Sequence, residues 1–184
     1  MSRLADHPFA RDVRHQLDNS LYIAPVRTTP IRLLRLMLTP ELQGTAWYRF
    51  SNALWRSGFR KLAFLPYLRA KRLGCDISSE TAIGGGLRIV HAMDIVIGPG
   101  TRIGRDLVIF NGVTLGNRLG THGENGMPQI GDRVLIGAGA KIIGPVTIGD
   151  DARIGAGAIV LIDVPAGATA AGNPARIVRS GRPS

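Results

Sequence analysis

The chain has 184 residues, of which 45% are apolar and 20% charged, so it can bury one core and is not a disordered protein. Its formal net charge of +10 comes without any nucleic-acid-binding motif, so we expect no nucleic-acid partner. A single cysteine, Cys75, excludes an internal disulfide, and no apolar run reaches about 18 residues, which excludes a spanning helix and predicts a cytoplasmic protein.

The N-terminal region, residues 1–75, is basic and is predicted to be helical. It holds 13 Lys and Arg against 4 Asp and Glu, while the rest of the chain is nearly neutral. Helices are predicted over residues 31–37, 40–57 and 59–72, and Thr39-Pro40-Glu41 is typical of a helix start. The second helix has large apolar side chains that predict one buried face: Trp47, Phe50, Leu54 and Trp55. The basic excess is either a solvated surface or a contact with an acidic polymer or an anionic membrane.

Residues 76–165 contain an internal repeat of six residues, which fits neither a helix nor long strands. The repeated positions are aliphatic: Ile77, Ile83, Ile89, Ile97, Ile103, Ile109, Leu115, Ile130, Ile136, Ile142, Ile148, Ile154 and Val160. A period of six predicts a triangular solenoid in which each hexapeptide forms one strand and one corner, and the aliphatic side chains point inward. We therefore predict a β-helix domain over 76–165, followed by a C-terminal tail over 166–184.

The repeat is interrupted twice. The step from Ile89 to Ile97 is eight residues, so two extra residues must be accommodated at one corner. The step from Leu115 to Ile130 is fifteen residues, which a corner cannot absorb, and residues 117–129 are therefore predicted to leave the prism as a loop. Loops on rigid scaffolds commonly carry function.

Residues 76–178 resemble the hexapeptide-repeat acyltransferases, and within them the serine acetyltransferase branch. The resembling segments are residues 90–98, 112–117, 136–141 and 171–178. The resemblance implies a left-handed parallel β-helix, acetyl-CoA as co-substrate, no metal and a homotrimer.

The resemblance also implies the residues of the site. The catalytic base falls on His91, and the Asp that orients it falls on Asp76. The acetyl-CoA groove, at a subunit boundary, would be completed by the tail, and its residues would be Gly116, Asn117, Ala138, Ala156 and, for a CoA phosphate, Arg176. Candidate acceptor-binding residues are Asp94, Asn111 and His122.

A base is chemically necessary because an alcohol is a poor nucleophile until its proton is removed. Histidine, largely neutral at pH 7, contributes about 10²–10⁴-fold in such a role, and a carboxylate beside it holds the ring in one tautomer. His91 lies at the eight-residue step, where a side chain can leave the regular prism.

The chain departs from the serine acetyltransferase pattern at the acceptor site. That pattern has Arg-His-Pro before the strand that follows the loop, whereas this chain has Gly126-Met127-Pro128. In this segment the chain resembles acetyltransferases of colanic-acid and other exopolysaccharide pathways. It favours a sugar hydroxyl, on a polysaccharide or a lipid-linked precursor, at the inner face of the membrane or free in the cytoplasm. The alternatives are a serine O-acetyltransferase of cysteine biosynthesis and a non-catalytic scaffold.

Two other classes with a β-helix are excluded. A γ-type carbonic anhydrase needs three zinc-binding His, and the repeat region contains only His91 and His122. A sugar nucleotidyltransferase needs a nucleotide-binding domain with a Gly-rich loop, and residues 1–75 contain none.

Overall fold

The computed structural model describes residues 7–17, 30–118 and 125–181. In these ranges the helices are α1 (Pro8–Leu17), α2 (Pro30–Met37), α3 (Pro40–Arg56) and α4 (Arg60–Arg72). The strands follow: β1 (Cys75–Ile77), β2 (Ala82–Ile83), β3 (Arg88–Val90), β4 (Ile95–Ile97), β5 (Arg102–Ile103), β6 (Val108–Phe110), β7 (Thr114–Gly116), β8 (Gln129–Ile130), β9 (Leu135–Ile136), β10 (Lys141–Ile143), β11 (Thr147–Ile148), β12 (Arg153–Ile154), β13 (Ile159–Val160), β14 (Thr169–Gly172) and β15 (Ala175–Arg179). The three helices predicted after residue 30 are confirmed within one residue at each end, whereas α1 was not predicted.

The strands form the three faces of a prism. Sheet A contains β1, β4, β7, β10 and β13, sheet B contains β2, β5, β8 and β11, and sheet C contains β3, β6, β9, β12 and β14. Neighbouring strands within each of these sets pair in parallel, one coil above the next. The parallel β-helix predicted from the six-residue period is therefore confirmed.

The core of the prism is the column of repeated aliphatic side chains. Every one of the thirteen positions is buried, with at most 8% of the residue exposed. Burying an Ile or Leu side chain contributes roughly 1.5–3 kcal/mol, so the shared column is the main source of stability.

The two interruptions appear in the strand register. Asp76 pairs with Val96, so the coil between them has 20 residues. Lys141 pairs with Ile159, so that coil has the regular 18 residues. Between Thr114 and Lys141 the coil has 27 residues, because the loop adds nine. The prism thus keeps its cross-section, and the extra residues are placed outside it.

Helix α3 covers the first coil with a face different from the one predicted. Its buried side chains are Leu42, Thr45, Tyr48 and Ser51, whereas Phe50 is 53% exposed. The Tyr48 hydroxyl donates to the Thr81 carbonyl oxygen over 2.7 Å. The first coil presents a carbonyl group that needs a donor, and the hydroxyl of Tyr48 supplies one, which the Phe50 side chain could not do.

Helix α1 lies against sheet C near its first strand. Gln16 donates from Nε2 to the carbonyl oxygen of Ile89 over 2.9 Å, and Arg11 forms an ion pair with Asp106 in the second coil. This hydrogen bond from Arg11 lowers the pKa of Asp106. In the part of the chain that the structure describes, no helix has the length and hydropathy needed to cross a membrane.

The other end of the prism continues past residue 165. Strand β14 pairs in parallel with β12, so sheet C gains one more rung. The chain then reverses through a cis Asn173-Pro174 bond, and β15 pairs antiparallel with β14.

Candidate active site

Four of the predicted site residues stack along one edge of the prism, where the chain passes from sheet C to sheet A (the C–A edge). The pairs Val90–Phe110, Ile109–Ile136 and Ile136–Ile154 fix the register of four successive coils. The residues that follow these strands by one or two positions therefore occupy equivalent places in the four coils. They are His91, Asn111, Ala138 and Ala156. Coils are spaced by about 4.8 Å, so this row is about 14 Å long.

His91 stands out from this edge because its corner holds the two extra residues. The backbone of His91 is left-handed at φ 60°, as is that of Asp94 at φ 53°, and the Met93 N–H donates to the His91 carbonyl oxygen over 2.8 Å. Both His91 and Asp94 are exposed. A projecting imidazole can reach a bound acceptor, as a general base must.

Asp76 lies on sheet A near this corner, with its carboxylate held by helix α4. The Tyr67 hydroxyl donates to Oδ1 over 2.7 Å, and Lys71 Nζ lies 2.7 Å from Oδ2. Burial, followed by the hydrogen bond to Asp76, raises the pKa of Tyr67. Within the described ranges no hydrogen bond joins Asp76 to His91, so the orienting role of Asp76 stays a prediction.

Gly116 and Asn117 lie on a different edge, where sheet A passes to sheet B (the A–B edge). The Gly116 carbonyl oxygen accepts from Gly144 N–H in the next coil over 2.9 Å. Asn117 Oδ1 accepts from Gly126 N–H over 2.8 Å and so closes the base of the loop. In one chain, therefore, these two residues do not share a groove with Ala138 and Ala156.

Arg176 continues the C–A edge at its C-terminal end. It pairs with Ala171 in the β14–β15 hairpin, and a Cβ added to Gly155 would lie 3.0 Å from the Ala171 side chain. The Arg176 side chain is exposed, with Nη1 donating to the Ala175 carbonyl oxygen over 2.9 Å. The edge thus carries a base at one end, small residues along it and a cation at the other end.

A cavity of about 600 Å³ opens beside His91, between β3 and the N-terminal helices. No pattern in the sequence predicts this cavity. Charged and polar side chains from four elements line it, namely Arg88 of β3, Arg35 of α2, Glu41 of α3 and Gln16 of α1. Glu41 Oε1 accepts from the Ala92 N–H over 3.4 Å, which places this carboxylate beside the corner of His91.

Part of the predicted loop is packed against the prism. A Cβ on Gly98 would lie 2.6 Å from Met127 Cε, a Cβ on Gly126 would lie 2.7 Å from Pro145, and Pro128 is buried. His122, the candidate acceptor ligand of the loop, lies outside the described residues.

Comparison with known families and proteins identifies relatives that match most of this chain. Residues 127–161 match the family model described as bacterial transferase hexapeptide (six repeats). A serine acetyltransferase from Helicobacter pylori is 41% identical over 148 residues, which span 80% of this chain and 86% of the relative.

Two solved structures extend the comparison. A soybean serine acetyltransferase complexed with serine is 37% identical, with a TM-score of 0.81 over 93% of this chain and 68% of that one. A serine acetyltransferase from Brucella abortus in complex with coenzyme A is 28% identical, with a TM-score of 0.83 over 100% of this chain and 71% of that one. The predicted left-handed parallel β-helix, preceded by helices, is thereby confirmed.

The predicted preference for a sugar acceptor, in an exopolysaccharide or a lipid-linked precursor, is wrong, because the relatives are serine acetyltransferases. The preference depended on residues 126–128. Their packing against Gly98 and Pro145 gives these residues a structural reason to be small or apolar, so their composition is a poor guide to the acceptor.

Proposed function

Because the chain belongs to the serine acetyltransferase family, we propose that it transfers the acetyl group of acetyl-CoA to the hydroxyl of L-serine, giving O-acetylserine and free CoA. The chain is an acetyl-CoA-dependent acetyltransferase. The observation that carries the proposal is the C–A edge, where His91, small residues and Arg176 follow one another in the order that a long thioester with phosphates requires.

His91 acts as the general base in this proposal. Its imidazole removes the proton from the serine hydroxyl as the oxygen attacks the thioester carbonyl. When the tetrahedral intermediate collapses, the C–S bond breaks and the imidazolium returns the proton to the CoA sulfur. Asp76 is proposed to steady this imidazolium, either directly or through the corner that both residues adjoin.

Acetyl-CoA is proposed to lie along the C–A edge. Ala138 and Ala156 leave space above the edge that larger side chains would fill, and the two sit close enough that a Cβ on Gly137 would lie 2.6 Å from the Ala156 nitrogen. Arg176 then offers an exposed guanidinium for a phosphate, which it can bind with two parallel hydrogen bonds. The tail from residue 166 is in this sense part of the CoA site.

A homotrimer is proposed because the predicted CoA residues occupy two edges. Gly116 and Asn117 on the A–B edge can meet Ala138 and Ala156 on the C–A edge only if the two pairs come from different copies. A three-fold arrangement of prisms brings such edges together three times. Light scattering after size exclusion should give three times the chain mass of 19.7 kDa, and a monomer that retains full activity would contradict the proposal.

Peripheral contact of the N-terminal region with an anionic membrane stays a prediction. Between residues 41 and 76 the chain has seven Lys and Arg and no Asp or Glu. At α4 the exposed apolar residues are Phe59, Leu62, Phe64 and Leu65. Co-sedimentation with phosphatidylserine vesicles, but not with phosphatidylcholine vesicles, is expected, and equal or absent binding would contradict it.

The proposed activity is tested by following the release of CoA thiol with L-serine as acceptor. Thiol release that depends on both acetyl-CoA and L-serine, with O-acetylserine identified by mass, is the expected result. A rate with L-serine no higher than the rate of acetyl-CoA hydrolysis in buffer would overturn the proposal.

A further inference from the structure

The cavity beside His91 contains charges of both signs, although the sequence predicted no acceptor ligand there. Two arginines, Arg88 and Arg35, and one glutamate, Glu41, line the same cavity as His91. An amino acid with a side-chain hydroxyl presents three matching groups within a few bonds of one another: a carboxylate, an ammonium and the hydroxyl.

Arg88 is the most buried of these charged residues. It lies on β3, three residues before His91, and only 5% of it is exposed although it points away from the aliphatic column. Arginine is rarely buried to this extent unless its guanidinium binds acceptors. Its five N–H donors allow it to keep contacts within the protein and to bind a ligand carboxylate as well.

Glu41 is placed to bind the opposite charge. It belongs to the first turn of α3, and its contact with the Ala92 N–H brings its carboxylate to the residue that follows His91. An ammonium group bound there would lie on the His91 side of the cavity. The hydroxyl of the same molecule could then reach the imidazole.

We propose that this cavity is an amino-acid subsite in which Arg88, assisted by Arg35, binds the acceptor's α-carboxylate and Glu41 binds its α-ammonium. The inference rests on the proposed function, because it assumes an amino acid as the acceptor. It also accounts for the absent Arg-His pair of the loop, since the cations come from β3 and α2 instead.

The test compares acceptors that lack one charge each. L-Serine, L-serinamide without the carboxylate, and 3-hydroxypropionate without the ammonium are assayed with wild type, Arg88→Met and Glu41→Gln. Arg88→Met should lower kcat/KM for L-serine about 10- to 100-fold and leave that for L-serinamide and the KM for acetyl-CoA nearly unchanged. Glu41→Gln should lower kcat/KM for L-serine by a similar factor. It should leave kcat/KM for 3-hydroxypropionate nearly unchanged.

The controls separate binding from folding. Arg102→Met removes an exposed arginine from sheet B and should leave all acceptors unaffected. If Arg88→Met does not fold, Arg35→Met removes a cation from an exposed position of the same cavity and should show the same selectivity, with a smaller loss.

Two failures can be distinguished. Equal losses for L-serine and L-serinamide in the arginine variants would overturn the assignment of the subsite and leave the proposed function standing. Wild-type enzyme that acetylates none of the three acceptors would overturn the proposed function itself, and with it the subsite.

Discussion

Asp12 of α1 and Arg49 of α3 form a buried ion pair with two hydrogen bonds, Nε to Oδ2 over 2.8 Å and Nη2 to Oδ1 over 2.9 Å. Asp12 is fully buried and also accepts from the backbone N–H groups of Gly86 and Leu87 over 2.8 Å each. Arg49 in turn donates to the carbonyl oxygen of Ile83 over 2.6 Å. The pair therefore joins two helices to the first coil.

Replacing Asp12 with Asn should destabilise the protein. The side chain of Arg49, 12% exposed, would keep its charge without the carboxylate that compensates it, and removing one partner of a buried pair costs about 3 kcal/mol. Urea denaturation followed by circular dichroism measures the change. Glu80→Gln makes the same chemical change at an exposed position and should shift the free energy of unfolding by no more than about 0.5 kcal/mol. Equal shifts in both variants would contradict this account.

Replacing His91 with Asn should lower kcat about 10²–10⁴-fold without unfolding the protein. Asn is chosen because it accepts the left-handed backbone at φ 60°, where Ala would add strain. Steady-state thiol release and a thermal melt are the measurements. His7→Asn, the same substitution at an exposed N-terminal position, should retain full activity. A His91→Asn enzyme as fast as wild type would show that His91 is not the base.

Replacing Ile148 with Asp should prevent folding, because it places an unpaired charge in the aliphatic column at a fully buried position. The penalty for burying such an ion is several kcal/mol, comparable to the whole stability of a domain. Gln129→Asp is the control, since Gln129 pairs with Thr147 on the same sheet and is exposed. Soluble yield and circular dichroism distinguish the two, and a well-folded Ile148→Asp protein would contradict the inward direction of this side chain.

Cys75 should be inert towards thiol reagents while the protein is folded. Burial, followed by the charge of Glu41, raises the pKa of its thiol to about 12, so the reactive thiolate is scarce even at pH 9. A Cβ on Gly44 of α3 would lie 2.6 Å from the Cys75 sulfur, which shows how closely the helix covers it. With a disulfide reagent at pH 8, we expect no reaction in native protein and one thiol per chain in denaturant. Rapid labelling of native protein would show that α3 detaches.

The sequence was sufficient to predict the prism because the aliphatic residues of its core recur every six positions. Each of the repeated aliphatic residues was identified by spacing alone, and the eight-residue step marked the corner from which His91 projects. Resemblance, not periodicity, supplied Ala138, Ala156 and Arg176, and the register then placed them on one edge with His91.

What the sequence did not reveal depends on contacts between distant residues. Helix α1 is held by Asp12, a polar residue whose partner Arg49 lies 37 residues away, and no periodic pattern reports such a pair. The cavity likewise combines Arg35, Glu41 and Arg88 from three elements. The wrong acceptor came from interpreting residue types in a loop segment without knowing that Met127 packs against Gly98.

The two ends of the prism also bear on solubility. A stack of parallel strands can grow by adding a strand from another molecule at either end, as fibrils do. Here the first coil is covered by α3 and α4. At the opposite end the pattern is interrupted by Pro165, which follows the bridge from Val164 to Ile148 on sheet B, and by the antiparallel β15. Removing residues 166–181 would expose the edge of β12, so a truncated protein should form end-to-end aggregates rather than remain dispersed.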